Sequence, residues 1–183
     1  MANHCNNHYT FTKSTMDNTK KILDFFEDYE NHDCVTDWYN KHFGTSHDRK
    51  EYSEIVGARW LEFTLEPSYK EDTIQIFGDS AWSPTIPLMK KLAEHYELDL
   101  DGEYEESGND IAGEITITDG EITEFDCGYM TFRYRHGGVN SVLDELEHRP
   151  CDTMEEYLDD LAEVEGLSKN DRQEIISEIK SWV

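Results

Sequence analysis

Five carboxylates occupy every second position along one short stretch of the chain: Glu97, Asp99, Asp101, Glu103 and Glu105. Successive side chains of a β-strand point to opposite faces, so alternate residues share a face. The spacing predicts a strand with five carboxylates on one face, about 6.7 Å apart. Such a line of charge is broadly similar to the phosphates along a nucleic-acid strand.

Further acids extend this pattern, because residues 92–132 contain thirteen acids and no Lys or Arg. Ordinary protein surfaces mix both signs of charge. We therefore predict a surface that binds a partner through carboxylates. The alternative is a solvated sheet or helix face with no binding role. Besides the five alternating acids, the candidate partner-binding residues are Glu114, Glu121, Glu124, Glu155, Glu156, Asp159 and Asp160.

Catalytic chemistry is weakly indicated. Glu105 and Glu106 are a carboxylate pair of the type used for general acid and base catalysis, but neighbours on a strand point to opposite faces. The chain also contains no P-loop, GxSxG, HExxH or GxGxxG motif. We predict that the protein is not an enzyme and has no catalytic residues.

Two groups of His and Cys residues are spaced closely enough to suggest a metal. His4 and His8 would share one face of a strand, with Cys5 pointing away, and this geometry does not favour a zinc site. His32 and Cys34 form the second group. We predict a buried cysteine with surface histidines, and neither a metal site nor a cofactor.

The composition limits the partners. The 183 residues include 41 acids against 16 Lys and Arg, a formal net charge of -25. This charge repels nucleic acid and anionic lipid, so we expect no direct nucleic-acid or membrane binding and a basic protein as partner. The four cysteines form no CxxC pair, which favours reduced thiols and a cytoplasmic location in the host cell. They are Cys5, Cys34, Cys127 and Cys151.

Hydrophobic periodicity predicts an α+β protein. Strands are expected at residues 5–12, 60–65, 73–77, 98–104, 111–118 and 122–134, with helices starting at Ser14 and Ser83 and three short helices at the C-terminal end. The order strand, helix, strand, strand, helix, strand predicts a ferredoxin-like antiparallel sheet with helices on one face. We place this domain at residues 1–134, and an acidic helical extension packed on it at residues 135–183.

Several short motifs resemble the YubB-type ferredoxin-like domain family of conjugative plasmids and phages, over residues 1–134. The motif residues are Asn3, Cys5, Asn7 and Thr10; Ala81-Trp82-Ser83-Pro84 with Pro87; and Tyr104, Glu105 and Gly108 with Ala112-Gly113. This chain has Pro84-Thr85 where the family usually has two prolines, and the tail from Gly137 has no counterpart. The resemblance implies a fold and a mobile element but no enzyme activity, with Trp82 wedged between helix and sheet.

These observations lead to two hypotheses. The first is a nonenzymatic, acidic DNA-mimic inhibitor from a mobile element, which binds a basic nucleic-acid-binding host protein of the restriction or CRISPR type, with exposed Tyr104 or Tyr129 adding affinity. The second is a module that binds a small molecule or a peptide and whose acidity is incidental. A homodimer, which would double the acidic surface, is the oligomeric state that we favour.

Overall fold

The computed structural model describes residues 3–30, 35–48, 52–68, 72–148 and 153–182. Helices follow the first and third strands, and the last three elements are helical. In chain order the elements are β1 (His4–Thr12), α1 (Met16–Glu30), α2 (Val35–Phe43), α3 (Tyr52–Val56), β2 (Leu61–Ser68), β3 (Thr73–Ala81), α4 (Ile86–Tyr96), β4 (Asp99–Glu106), β5 (Ile111–Thr118), β6 (Glu121–Cys127), α5 (Tyr129–His148), α6 (Met154–Ala162) and α7 (Lys169–Ile179).

The six strands form one antiparallel sheet in the order β2-β3-β1-β4-β5-β6. The first four strands, together with α1 and α4, have the ferredoxin-like arrangement. The predicted α+β ferredoxin-like fold is therefore confirmed. The β5 and β6 hairpin extends the sheet beyond β4. Its turn consists of Asp119 and Gly120, both at positive φ, as the sequence predicts for a tight hairpin.

Helices α1 and α4 pack on one face of this sheet. Inward side chains of the strands and the apolar stripes of both helices form a single buried cluster. Trp38 of α2 closes this core, and its indole N–H donates to the carbonyl of Phe25 at 2.6 Å. The fully buried members include Tyr9, Phe11, Ile74, Ile76 and Leu100 from the sheet, and Ile22, Phe25, Leu88, Met89 and Leu92 from the helices.

The residues predicted to begin helices α1 and α4, Ser14 and Ser83, are wrong by one and two positions. The Thr15 hydroxyl accepts from the Asn18 N–H at 3.1 Å, so Thr15 rather than Ser14 caps α1. Ser83 does not cap α4, because its hydroxyl donates to the carbonyl of Gly57 at 2.6 Å. The N-cap of α4 is Thr85, and a proline lies in the first turn of the helix.

The strand predicted at residues 122–134 ends at Cys127, and helix α5 begins at Tyr129. The carboxylate of Asp110 accepts from the Tyr129 backbone N–H at 2.7 Å. An acid that receives a free N–H at a helix start stabilises that end of the helix. The cap comes from a residue nineteen positions earlier, so no local pattern indicates it.

The chain divides into two compact units. The first comprises residues 1–109 and 113–125, and the second comprises residues 110–112 and 126–183. The boundary predicted between residues 134 and 135 therefore lies inside helix α5. Among the described residues, no helix is both long and apolar enough to cross a membrane.

The second unit has its own buried core, built from α5, α6 and α7. Two predicted caps are confirmed there. Thr153 and Glu156 form a capping box at the start of α6, and the Ser168 hydroxyl accepts from the Asp171 N–H at 3.1 Å. Both caps could be predicted because each depends on residues three positions apart.

Candidate functional site

The face of the sheet opposite α1 and α4 presents an ordered array of polar side chains. The strand registers align these outward residues in rows across β2, β3, β1 and β4. Within this group of four strands, the outer two, β2 and β4, are separated by three strand spacings, about 14 Å. Three rows cross all four strands, and two further pairs, Ser68 with Thr73 and Thr12 with Asp99, lie at their end: the rows are Glu62, Asp79, Asn6 and Glu105; Thr64, Phe77, His8 and Glu103; and Glu66, Gln75, Thr10 and Asp101.

None of the six strands contains Lys or Arg, whereas every strand except β1 contains acids. Strands with one solvated face normally carry both signs of charge. The bias is therefore a property of the whole sheet and not of β4 alone. The acids are Glu62, Glu66, Asp79, Asp99, Asp101, Glu103, Glu105, Glu106, Glu114, Glu121, Glu124 and Asp126.

The predicted line of five carboxylates is shorter in the structure. Asp101 and Glu103 lie on β4, as predicted, and both are exposed, whereas Glu105 is partly buried. Glu97 lies outside the strand as the left-handed C-cap of α4, so its predicted place in the line is wrong. Asp99 begins the strand but is neutralised by the ammonium group of Lys13 at 2.8 Å.

Lys13 contacts two carboxylates at this end of the sheet, those of Asp119 and Asp99. The hydrogen bonds that the Lys13 ammonium donates to these carboxylates raise its pKa, the bond to Asp119 most strongly. The pKa of Asp99 is lowered by the Lys13 hydrogen bond first and then by the Asp119 backbone N–H. The negative charge of the outward face is therefore concentrated on the three rows.

Three further predicted residues have different surroundings. Glu114 is partly buried on β5, and Glu121 is exposed on β6. Glu124 forms an ion pair with Lys90 of α4, so it points to the helix-bearing side. Residues three apart on a strand point to opposite faces, so Glu121 faces outward.

The four predicted residues of α6 belong to the second compact unit. Glu155 and Asp159 are exposed, and Asp160 is partly buried. Glu156 stabilises the start of α6, where its carboxylate accepts from the Thr153 backbone N–H at 3.1 Å. Glu155 and Glu156 both lie in the first turn, where negative charge is favourable.

The sequence pattern does not indicate three carboxylates of the outward face. Glu62 and Glu66 lie on β2, and Asp79 lies on β3 directly opposite Glu62. Alternation indicates which residues of one strand share a face, but not which strands are neighbours. The pairing of β3 with β1, and of β1 with β4, brings these acids onto the same face as Asp101 and Glu103.

Two histidines of β1 lie beside these carboxylates. The imidazole of His4 is 3.3 Å from Asp79, and that of His8 is 3.6 Å from Glu103. Cys5 points inward, and burial raises its pKa to about 12. Over the residues that the structure describes, no three His, Cys, Asp or Glu side chains are grouped so as to hold a metal ion. The other pair considered for zinc, His32 and Cys34, lies outside the described residues.

Glu105 and Glu106 point to opposite sides, as their adjacent positions require. Glu106 is buried, and its two carboxylate oxygens accept from the backbone N–H groups of Gly108 and Asn109, both at 2.7 Å. These bonds stabilise the turn between β4 and β5. The arrangement therefore gives Glu106 a structural role.

Two of the motif residues, Cys5 and Asn7, belong to a buried hydrogen-bond network. The Asn7 amide donates to the Cys5 carbonyl at 2.7 Å and to the Ser80 hydroxyl at 2.9 Å. Its oxygen accepts from the Tyr9 hydroxyl at 2.9 Å and the Thr85 N–H at 3.4 Å. Burial is also the main reason that the pKa of Tyr9 is raised. The network connects β1 to the end of β3 and the start of α4.

The predicted surroundings of three aromatic side chains are wrong. Trp82 is not wedged between helix and sheet; it is 39% exposed, and the Arg59 guanidinium lies 5.4 Å from its ring centre. Tyr104 and Tyr129 are buried, so neither is an exposed contact residue. The outward sheet face instead exposes Phe77, between β2 and β1.

A cavity of about 820 Å³ lies on the helix-bearing side of the first unit. It is bounded by α4 and by the β5 and β6 hairpin, and Tyr39 and Ile55 also contribute to its wall. Pockets for small molecules typically measure about 300 to 1,000 Å³. The first unit thus has two separate candidate sites, an acidic face and a cavity.

Comparison with known proteins supports the fold. Residues 62–150 match a family model described as a ferredoxin-like domain in Api92-like protein. The chain resembles Api92-like proteins over this region. A crystal structure of the protein Api92 from Yersinia pseudotuberculosis matches 46% of this chain and 32% of that chain, with 20% sequence identity and a TM-score of 0.32. The chain therefore spans about a third of that Api92 structure.

No curated protein matches the chain. The Api92-like match confirms the ferredoxin-like part of the resemblance predicted from the motifs, while the YubB-type assignment stays a prediction. A fold supports many unrelated activities, so function has to be inferred from the sites themselves.

Proposed function

We propose that this protein is a nonenzymatic, acidic DNA-mimic inhibitor from a mobile element. Its outward sheet face would bind a basic nucleic-acid-binding protein in the cytoplasm of the host cell, of the restriction or CRISPR type. The observation that supports this proposal is the paired arrangement of carboxylates on β2 and β4 of a sheet whose strands contain no Lys or Arg.

The exposed carboxylates also form two lines along the strands, one on β2 and one on β4, and we call these lines the carboxylate rows. Their spacings are close to those between phosphates of a DNA duplex. Asp101 and Glu103 are about 6.7 Å apart along β4, and Glu62 and Glu66 are about 13 Å apart along β2. About 14 Å separates the two strands, which is of the same order as the 12 Å width of the major groove of DNA. A protein that contacts phosphates on both sides of a groove could contact both rows at once.

The face is available for such contacts. Glu62, Glu66 and Asp101 are exposed, and within the described chain their carboxylates have no hydrogen-bond or ion-pair partner. Glu62 also lies directly opposite Asp79, a like-charge pair that destabilises the sheet. Cationic side chains of a partner would relieve this repulsion, and a long-range attraction would accelerate association.

Phe77 provides an apolar contact between the two acidic rows. Its side chain is 36% exposed, and it lies on β3 beside His8 of β1, which in turn lies beside Glu103 of β4. Aromatic side chains at the centre of an interface commonly contribute much of the binding energy. We expect Phe77 to stabilise the complex after the charges have brought the two proteins together.

The test is a pull-down from host lysate with three forms of the protein, at low and at high salt. The outward-face variant carries Glu62→Gln, Glu66→Gln and Asp101→Asn. The matched control has the same change in charge on exposed residues of the second unit. It carries Glu147→Gln, Glu174→Gln and Glu178→Gln.

We expect the wild type and the control to retain a basic nucleic-acid-binding protein that high salt elutes, and the outward-face variant to lose it. Retention of one salt-resistant partner by all three forms would contradict the proposal. It would favour the second candidate function, a module that binds a small molecule or a peptide, and the 820 Å³ cavity is the observation that supports this alternative.

A further inference from the structure

The cavity beside α4 is separate from the outward acidic face. Its lining is more apolar, so we expect a different kind of ligand there. Ile117 and Ile122 of the β5 and β6 hairpin form part of its wall, with Leu98 and Ala93 from the opposite side. Ile117, Leu98 and Ala93 are buried, but Ile122 is 52% exposed. A large aliphatic side chain left exposed at a cavity wall favours contact with an apolar group.

The basic residues of the cavity wall are already neutralised. Lys13 pairs with Asp99 and Asp119, Lys90 pairs with Glu124, and Lys91 pairs with Glu94 at 2.9 Å. The Lys91 ammonium group also lowers the pKa of Glu94, mainly through their hydrogen bond. An anionic ligand would have to displace a carboxylate from one of these lysines.

Glu97 is the exception among these charged residues. It borders the cavity, and within the described parts of the chain its carboxylate has no hydrogen-bond or ion-pair partner. It is also the C-cap of α4, and the C-terminal end of a helix carries partial negative charge. The cavity therefore combines an apolar wall with one carboxylate, that of Glu97, which has no cationic partner among the described residues.

We propose that this cavity binds a small lipophilic amine, with the apolar body against Ile122 and Ile117 and the ammonium group beside Glu97. This inference goes beyond the proposed function, because none of these residues belongs to the outward carboxylate rows. A neutral ligand would leave Glu97 unpaired, and an anion would be repelled by it. The ligand volume is limited by the 820 Å³ of the cavity.

The test is a fluorescence titration with dansylcadaverine, a fluorescent primary amine, beside its neutral N-acetyl derivative. High salt is used throughout to suppress nonspecific attraction of the amine to the acidic protein. The variants are Glu97→Gln, Ile122→Ser and, as a control with the same charge change elsewhere on the first unit, Glu66→Gln. Glu97→Gln preserves the size of the side chain, and Ile122 is exposed enough for the protein to fold without it.

We expect saturable binding of one amine per chain, weakened about three- to fivefold by Glu97→Gln and by N-acetylation. Ile122→Ser should weaken both probes, and Glu66→Gln should change neither. Equal affinities for the amine and its acetyl derivative, or no saturable binding, would overturn the proposal.

A second copy of the chain occupying the cavity would also overturn it, and sedimentation equilibrium would detect this as a dimer that Ile122→Ser dissociates. Glu97→Gln should not change the pull-down, so failure here is distinguishable from failure of the inhibitor proposal.

Discussion

At the scale of single residues, neighbours on β1 have opposite roles. Asn6 is exposed on the outward face, whereas Asn7 is buried at the centre of the hydrogen-bond network that joins β1, β3 and the start of α4. The alternation of the strand predicts that the two point to opposite sides. It does not indicate that Ser80 and Thr85, more than seventy residues away, are the partners of Asn7.

Asn7→Ala should therefore destabilise the protein by about 2 to 3 kcal/mol, because it leaves the Tyr9 hydroxyl and the Thr85 N–H buried without a partner. Urea unfolding measures this loss. Asn6→Ala is the matched control, and its exposed side chain should change the free energy of unfolding by less than about 0.5 kcal/mol. Equal effects of the two substitutions would contradict the network.

The ion pair between Lys13 and Asp99, at the end of the sheet, should make the free energy of unfolding depend on pH. Because the hydrogen bond from Lys13 lowers the pKa of Asp99, the resulting stabilisation is present above the ordinary pKa of an aspartate. It disappears as the pH falls through the lowered pKa. The raised pKa of Lys13 gives the opposite limit, since its contribution is complete below the ordinary lysine pKa and disappears as the pH rises through the raised value.

Lys13→Met should accordingly raise the pKa of Asp99 towards its ordinary value, measured by NMR titration of the carboxyl carbon. The difference in unfolding free energy between wild type and variant should shrink in acid. Lys21→Met, which removes an ion pair with Asp17 on α1, is the control and should leave Asp99 unchanged. An unchanged Asp99 titration in Lys13→Met would rule out this ion pair in solution.

At the scale of elements, the sequence predicts β1, β2, β3, β4 and β5 because their apolar residues alternate with polar ones. It extends β6 too far, because the helical start at Tyr129 depends on Asp110. The alternation of acidic residues also places Glu97 in a strand, although β4 begins only at Asp99. Glu97 has φ 53° and ends α4, a conformation that the charge pattern does not indicate.

Helix α5 contains a break that only glycine adopts easily. Gly138 has φ 64° and ψ -154°, a region that other residues avoid. Gly138→Ala should destabilise the second unit by about 1 to 3 kcal/mol, measured as reduced amide-exchange protection of α5. Asn140→Ala, an exposed position on the same helix, should have little effect. Unchanged protection in Gly138→Ala would show that the break is not required.

At the scale of the whole molecule, composition predicts an acidic partner-binding surface but not its shape. The alternating acids of β4 predict one row, and Asp101 and Glu103 lie there. The second row, Glu62 and Glu66, depends on the strand order, which no single stretch of sequence specifies. The neutralisation of Asp99 likewise depends on Lys13, which is distant in sequence.

An acidic face that serves binding should reduce the stability of the free protein. Glu62→Gln, Glu66→Gln and Asp101→Asn together should raise the free energy of unfolding by about 0.5 to 1 kcal/mol at low salt, because they remove like-charge repulsion. Urea unfolding at low and high salt should show the gain shrinking as salt screens the charges. A variant less stable than the wild type at low salt would indicate that these carboxylates are stabilising.

A competition between this protein and duplex DNA for the captured host protein tests whether the outward sheet face mimics DNA. We expect mutually exclusive binding, so that added duplex releases the protein from its partner and the outward-face variant no longer competes with DNA. A ternary complex of partner, DNA and this protein, or undiminished competition by the variant, would contradict mimicry of DNA by the outward sheet face.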